Sequence, residues 1–181
     1  MPTNIKLIEK QLCKKRLYKG GAVNFNVDTV KLINGKTAKR EYIDHPGAVA
    51  VLPVLQNGDI VLVRQYRYPI GEVTWEIPAG KMHYGPDNPL KRAKAELSEE
   101  TGYTGKLKKL LSFWPCCAFS NECLHIYTGT ELKPGKSNPD DDEFLNVMKV
   151  PYSRAVRMTQ TGEIKDSKTI IAILAYKAFA K

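Results

Sequence analysis

One segment dominates the fold of this chain: Gly80-Lys-Met-His-Tyr-Gly-Pro-Asp-Asn-Pro-Leu-Lys-Arg-Ala-Lys-Ala-Glu-Leu-Ser-Glu-Glu-Thr-Gly-Tyr103. Within it, Asn88 suits a helix N-cap, Pro89 suits the first helical position, and Gly102 suits the residue just past the end. The segment therefore predicts a helix over residues 88–101.

The predicted helix combines an apolar stripe with a row of carboxylates. At about 100° per residue, the residues that share the inward stripe are Leu90, Ala93, Leu97 and Thr101. Glu96 and Glu100 flank this stripe one turn apart, with Glu99 further round the helix. Like charges at this spacing repel, which indicates a bound cation, and Mg²⁺ prefers oxygen ligands that it shares with phosphates. The alternative is a solvated face balanced by neighbouring basic side chains.

A strand-like segment, residues 72–78, and a glycine-containing loop precede the helix, an order that can point carboxylates at backbone oxygens near Gly80. Residues 80–103 resemble the signature box of the Nudix hydrolases, whose pattern is G-x5-E-x7-R-E-U-x-E-E-x-G-U with U a bulky apolar residue. Three further motifs resemble the ADP-ribose pyrophosphatase and nucleoside diphosphate sugar hydrolase branch: residues 63–69 (VRQYRYP), 75–81 (WEIPAGK) and 162–169 (GEIKDSKT). The resemblance extends from about Phe25 to the C-terminus.

The resemblance implies an α+β fold, a Nudix-like α/β/α sandwich with a mixed sheet and additional N-terminal antiparallel strands. The residues support this, because Asn34-Gly35 and Asn57-Gly58 lie between apolar runs and signal hairpins. Strands are predicted at 18–33, 36–44, 49–55, 60–66, 72–78, 107–114, 124–130 and 144–150, and two more helices at 151–159 and from 166 or 167 to 180. We expect residues 1–45 to form a subdomain for dimerisation and substrate contact, and residues 46–181 to form the catalytic domain.

Composition limits the class of protein and its surroundings. The chain has 181 residues and a net charge of +9, a positive field that would steer pyrophosphate substrates. Such a charge also suits nucleic acid, but no recognition helix or aromatic reader of single strands is evident, so this partner is disfavoured. The N-terminus lacks the apolar core of a signal peptide, and the longest apolar run, residues 170–176, is too short for a membrane. We expect a cytoplasmic protein with no membrane partner and with four free thiols.

The family resemblance assigns a metal centre. It implies that Glu96 and Glu100 are the principal metal ligands, that Glu99 bridges directly or through water, and that the carbonyl of Ala79 is a backbone ligand. The cofactor expected is Mg²⁺, with Mn²⁺ as the alternative. Glu99 and Glu100 are accordingly also expected to be catalytic.

The resemblance also assigns the groups that contact the substrate. Arg67 matches the phosphate clamp, a task that suits a guanidinium, while Glu76 and Glu122 match positions that contact the terminal ribose of the substrate or a nearby metal-bound water. A homodimer is implied, in which Arg40 of one protomer contributes to the site of the other. The general base is implied to come from the acidic loop at residues 139–143, as either Asp141 or Glu143.

This chain departs from the family pattern in three places. The box is one residue longer, with Asn88 as the inserted residue, and the first glutamate and the arginine of the pattern fall at Pro86 or Asp87 and at Ala95. These two residues brace the loop in the family, and Arg92 or Lys94 with Asp87 is the expected substitute. A proline typical of members that hydrolyse ADP-ribose corresponds to Cys117.

These observations predict a metal-dependent enzyme. The reaction is hydrolysis of the pyrophosphate bond of a nucleoside diphosphate sugar (ADP-ribose, GDP-mannose or similar) to a nucleoside monophosphate and a sugar phosphate. The alternatives are a catalytically degenerate Nudix domain that only binds nucleotides and an RNA-directed Nudix protein.

Overall fold

The structure is a computed structural model that describes residues 7–139 and 143–179. Its strands are β1 (Lys10–Cys13), β2 (Arg16–Lys19), β3 (Asn24–Lys31), β4 (Thr37–Asp44), β5 (Ala48–Pro53), β6 (Ile60–Arg67), β7 (Glu72–Glu76), β8 (Ala79–Lys81), β9 (Tyr103–Phe113), β10 (Leu124–Pro134) and β11 (Asn146–Val150). Its α-helices are α1 (Pro89–Thr101), α2 (Tyr152–Thr161) and α3 (Ser167–Phe179). The described residues form two compact units, one from residues 7–46 with 116–122 and one from residues 47–115 with 123–139 and 143–179.

The first unit is built around β3, which pairs antiparallel with β4 on one edge and with β1 and β2 on the other. Gly35, in the turn between β3 and β4, has a φ of 83°, so the predicted Asn-Gly turn is confirmed. The strand predicted over 18–33 is wrong as one element, because the chain turns between β2 and β3.

The buried face of β3 is polar. Asn24, Asn26 and Asp28 are almost inaccessible to solvent. Asp28 Oδ2 accepts hydrogen bonds from Gln11 Nε2 at 2.5 Å and from the Tyr42 hydroxyl at 3.2 Å. Burying a polar group costs free energy unless it is hydrogen-bonded, so this network is what permits a polar face to be buried here.

The second unit contains two sheets. One has the order β8-β5-β10-β9, with β5 and β10 parallel and the other pairs antiparallel, and the second has the order β11-β6-β7. All six residues of β5 are buried, as expected of a strand covered on both faces. Val49 and Val51 pack with α1, while Ala50 and Leu52 pack with α2 and α3. Sheets between helices on both sides confirm the predicted α/β/α sandwich.

Helix α1 has the predicted boundaries. Asn88 Oδ1 accepts hydrogen bonds from the backbone N–H groups of Leu90 and Lys91, both at 3.0 Å, and Gly102 ends the helix with a φ of 72°. Leu90 is 38% exposed, however, so its predicted place on the inward stripe is wrong. The buried face of α1 includes Glu96 and Glu100 beside Ala93, Leu97 and Thr101.

Several other predicted boundaries shift. Strands β9 and β10 are longer than predicted, and the predicted strand 72–78 ends at Glu76 before the short strand β8 begins. None of the helices in the described residues has the length and apolar character needed to cross a membrane.

Candidate active site

The end of β7, strand β8 and helix α1 bring a backbone segment against two glutamates. A Cβ atom added at Gly80 would lie 1.5 Å from Glu96 Oε1, so the Glu96 carboxyl group rests directly on the Gly80 backbone. The backbone N–H of Ala79 donates a hydrogen bond of 3.4 Å to Glu100 Oε1. Both carboxyl groups therefore lie at the backbone near Gly80, and the hydrogen bond found there is with an N–H group and not with one of the backbone oxygens that the sequence predicted.

Glu96 and Glu100 are buried acids with perturbed ionisation. Their residues are only 3% and 2% exposed. Burial raises the pKa of Glu96 to about 7, despite the opposing charge of Arg92, and raises the pKa of Glu100 to about 8 with a further contribution from the charge of Glu96. The side chain of Glu99 is 41% exposed and lies at the edge of this group. Both buried carboxyls would ionise more readily beside a cation.

Two carboxyl oxygens in this group lack hydrogen-bond partners. Within residues 7–139 and 143–179, Glu96 Oε1 and Glu100 Oε2 are buried with no hydrogen bond, although Arg92 Nη2 forms an ion pair with Glu96 Oε1. Buried polar atoms are nearly always paired, so within the described residues Glu100 Oε2, unlike the ion-paired Glu96 Oε1, points to a missing partner. No three acidic, imidazole or thiol groups of the described chain are already gathered as a metal site, but carboxyl oxygens are the hard ligands that a divalent cation such as Mg²⁺ prefers.

A second charged group surrounds Glu76 on β7. Arg67 Nε and Nη2 donate hydrogen bonds of 2.7 and 2.6 Å to the two carboxyl oxygens of Glu76, and Lys168 Nζ donates a further one. Thr74 Oγ1 donates another at 2.5 Å. Burial alone would raise the pKa of Glu76, but the hydrogen bonds from Arg67 and the charge of Lys168 hold that pKa at about 2. Glu76 is therefore a permanent buried anion held by two cations.

Arg67 also borders a cavity of about 320 Å³, together with Gln65, Tyr66, Glu143 and Phe144. The side chain of Arg67 is 43% exposed, so part of its guanidinium group is accessible. The charge of Glu143 contributes to the raised pKa values of both Glu96 and Glu100, which places its carboxyl group near theirs. The structure thus brings Arg67, Glu143 and the glutamates of α1 to one region of the second unit.

Comparisons with known proteins identify the family. The family model for the NUDIX domain matches residues 44–172. An ADP-ribose pyrophosphatase from Bacillus subtilis (strain 168) is 41% identical over 170 residues, covering 92% of this chain and 91% of the relative.

The chain belongs to the Nudix family.

Other relatives show the range of activities among similar Nudix proteins. A methanol dehydrogenase activator from Bacillus methanolicus is 40% identical over 168 residues, with 91% of this chain and 90% of the relative covered. A GDP-mannose pyrophosphatase from Escherichia coli O1:K1 / APEC is 30% identical over 150 residues, with 75% of each covered. A solved structure, "Crystal structure of ADP compounds hydrolase", matches with a TM-score of 0.82 at 16% identity, covering 96% of this chain and 95% of that chain. Its likeness shows the fold.

Two of the predicted site residues, Arg40 and Glu122, belong to the first unit, and a third, Asp141, is not described. In the first unit of the Nudix protein, Arg40 Nε donates a hydrogen bond of 2.8 Å to Glu9, and Glu122 Oε1 lies 3.9 Å from His45 Nδ1. Asp141 lies outside the described residues. The structure therefore describes one of the two acids predicted as general base, Glu143.

The substitute for the brace of the Nudix box differs from the prediction. Asp87 accepts hydrogen bonds from the backbone N–H groups of His83 at 2.9 Å and Asn88 at 2.7 Å, and so ties the loop together locally. Arg92 instead forms ion pairs with Glu96 and, at 4.0 Å, with Glu99. Arg92, about one turn before position 95, thus pairs with carboxylates of its own helix, while Asp87 holds the loop through backbone hydrogen bonds.

The sequence analysis missed the role of Lys168 and its neighbours Asp166 and Thr169. It recognised residues 162–169 as a motif of the branch without assigning them a function. One signal was present: a lysine in the first turn of a helix opposes the helix dipole, which favours anions there. Such a lysine requires carboxylate partners, and the structure supplies Glu76 and Asp166.

Proposed function

We propose that this Nudix protein hydrolyses the pyrophosphate bond of nucleoside diphosphate sugars, of the ADP-ribose or GDP-mannose class, to a nucleoside monophosphate and a sugar phosphate. One observation carries the proposal: Glu96 and Glu100 are buried against the Ala79–Gly80 backbone, and each has a carboxyl oxygen without a hydrogen bond in the described chain. The relatives named as pyrophosphatases support the substrate class.

Divalent metals are typical of Nudix hydrolases, and we propose Mg²⁺ here, with Mn²⁺ as the alternative. Glu96, Glu100, Glu99 and the Ala79 carbonyl would hold it. When bound, such a cation neutralises pyrophosphate charge and makes the attacking water more acidic. The protein contributes the Ala79–Gly80 backbone and the carboxyl groups of Glu96 and Glu100. Burial raises the pKa values of these two groups and so favours their neutral form when no cation is bound.

We propose roles for Arg67 and Glu143 in the rest of the reaction. Arg67 is partly exposed and borders the 320 Å³ cavity, where its guanidinium would bind a phosphate of the substrate. Glu143 borders the same cavity and would accept the proton of the attacking water as its oxygen bonds to phosphorus and the P–O bridge breaks. Asp141 is the alternative base.

We further propose a homodimer that works in the cytoplasm. Apolar side chains of β1 and β2 are at least half exposed (Leu12, Leu17 and Tyr18), which suits coverage by a second copy. In that assembly Arg40 and Glu122 would contact substrate. Four free cysteines, three of them exposed, suit a reducing compartment.

The proposal is tested with a substrate panel of ADP-ribose, GDP-mannose, UDP-glucose and capped RNA in Mg²⁺ or Mn²⁺, with nucleoside monophosphate release as the readout. Glu100→Gln should lower turnover by about a hundredfold or more, because loss of an inner ligand exceeds the effect of outer-shell changes, while its circular dichroism stays native. Lys94→Gln, on the same helix, is the control and should keep activity.

Full turnover by Glu100→Gln would contradict the proposal. Metal-dependent release of monophosphate by the unmodified protein would exclude a domain that only binds nucleotides. Cleavage of capped RNA in preference to the sugar nucleotides would favour the RNA-directed alternative.

A further inference from the structure

Lys168 is a buried lysine in an unfavourable position. It is the second residue of α3 and is only 9% exposed. Lysine is rarely buried unless paired, the helix dipole disfavours a cation in the first turn, and removing a charge from water costs free energy. Its contacts must account for this placement.

The first turn of α3 holds Lys168 from one side. Lys168 Nζ lies 3.0 Å from Asp166 Oδ1. Asp166 Oδ2 accepts hydrogen bonds from the backbone N–H of Thr169 at 3.0 Å and from its hydroxyl at 2.6 Å. Asp166 thus caps the helix and fixes the ammonium group with the same carboxylate.

On the other side, Lys168 reaches a carboxylate that Arg67 also uses. Glu76 Oε2 accepts from both Lys168 Nζ and Arg67 Nη2, and Glu76 Oε1 accepts from Arg67 Nε. Glu76 is 1% exposed, so solvent screens little of its charge. Arg67, Glu76, Lys168 and Asp166 together are formally neutral, and without Lys168 the two carboxylates would make the group negative. Arg67 Nη1 stays outside the contact with Glu76.

The same turn also anchors the strand end that leads to the candidate metal site. The backbone N–H of Ile77 donates a hydrogen bond of 2.8 Å to Thr169 Oγ1, two residues before Ala79. The positive charge of Lys168 also acts on Glu100, where it opposes the rise in pKa that burial causes. Helix α3 is therefore coupled to both parts of the site.

We propose that Lys168 is a positioning residue for substrate binding: by sharing Glu76, it orients Arg67 and balances the carboxylates of Glu76 and Asp166, which would otherwise repel a substrate phosphate. The inference rests on the proposed function of Arg67 as the phosphate clamp. A merely structural role makes a different prediction. A buried ion pair often contributes little net stability, and its loss would lower stability without a selective loss of phosphate affinity.

The test compares Lys168→Met, Lys168→Gln and Lys168→Arg with the unmodified protein. The probe is α,β-methylene-ADP, a diphosphate that cannot be hydrolysed at that bond, and its dissociation constant is measured by calorimetry in Mg²⁺. Lys168→Met and Lys168→Gln should each weaken binding about tenfold, within the range for charged contacts at a binding site. Lys168→Arg, which keeps the charge, should stay within about threefold of the unmodified protein. Two neutral variants are used so that a folding failure of one leaves the other.

Lys165→Met is the matched control. Lys165 lies three residues earlier and pairs at 2.7 Å with Glu72 in an exposed ion pair, so the variant removes the same charge from the same segment. It should bind the probe as the unmodified protein does. With a hydrolysable sugar nucleotide, the neutral Lys168 variants should raise KM in parallel with the dissociation constant and change kcat by less than about threefold.

Probe binding by folded Lys168→Met and Lys168→Gln at the unmodified affinity would overturn the inference, as would an equal loss in Lys165→Met. A different outcome would contradict the proposed function. If the unmodified protein hydrolyses no sugar nucleotide but the Lys168 variants still bind the probe weakly, the proposed reaction is wrong and the positioning role stands.

Discussion

Gly80 illustrates how one absent side chain shapes the site. The Glu96 carboxyl group occupies the space that a Cβ atom at position 80 would need. Only glycine lets the helix carboxylate approach the backbone this closely. The Glu96 carboxyl group therefore lies between the Gly80 backbone and helix α1, where its ion-pair partner is Arg92.

Gly80→Ala should therefore separate metal binding from folding. The colliding atoms are the end of a flexible side chain, so Glu96 can turn away and the fold should persist, with a melting temperature within a few degrees of the original. The affinity for Mn²⁺, measured by electron paramagnetic resonance or calorimetry, should fall by about tenfold or more, as for disrupted metal shells. Gly21→Ala, at a position where an added Cβ meets nothing within 4 Å, is the control. Unchanged Mn²⁺ affinity in Gly80→Ala would contradict the placement of Glu96 at the metal.

At the scale of elements, α1 shows what the additional residue of the Nudix box does. Asn88, the residue identified as the insertion, is the N-cap of the helix and accepts hydrogen bonds from two backbone N–H groups. The carboxylates of α1 lie two to three turns further along. The insertion therefore supplies a stable helix start at the place where the box has lost its original brace.

Removing this cap should lower the free energy of unfolding. Asn88→Ala leaves two backbone N–H groups without their acceptor, which costs about 1 kcal/mol of unfolding free energy, measured by urea denaturation. Asn88→Asp keeps an accepting side chain at the cap and should be close to neutral. If both variants unfold at the same urea concentration as the unmodified protein, Asn88 is not the effective cap.

At the scale of the whole molecule, the buried acids link stability to pH and to metal. Unfolded glutamates titrate near 4.5, but the folded pKa values of Glu96 and Glu100 are about 7 and 8. Between these values the folded protein binds more protons than the unfolded chain, so the unfolding free energy should fall as pH rises from about 4.5 to 8. Glu76 has the opposite effect, because its folded pKa of about 2 lies below the unfolded value. Its contribution to the unfolding free energy is complete above pH 4.5 and is lost as the pH falls toward 2.

This linkage is tested by urea unfolding in a chelator at pH 5, 6, 7 and 8. Stability should fall by at least about 1.4 kcal/mol across the series, the equivalent of one pKa unit. Mg²⁺ should raise the unfolding free energy most at pH 8, because fewer protons compete there with the cation for the carboxyl groups of Glu96 and Glu100. Glu100→Gln should flatten the curve. Stability that rises steadily over this range in the metal-free protein would contradict the raised pKa values.

Much of the fold could be predicted from local pattern. Asn34-Gly35 is a turn, Asn88 and Gly102 bound a helix, and the apolar runs around Asn57-Gly58 are strands, because turn conformation, capping and burial on both faces depend on neighbouring residues. The β3 strand was harder to predict. Its buried face is polar, so alternation of hydrophobicity gave no guide to which side faces inward.

For the site, the sequence alone determined that three glutamates share one helix beside a glycine loop, since helical periodicity is a local property. Only the tertiary structure decided that Glu96 and Glu100 are buried, and that Arg67 shares Glu76 with Lys168, 92 residues further along the chain from Glu76. Burial, and with it the pKa of a carboxyl group, depends on which distant segments cover it. No spacing along the chain contains that information, and it exists only once α3 has packed against the end of β7.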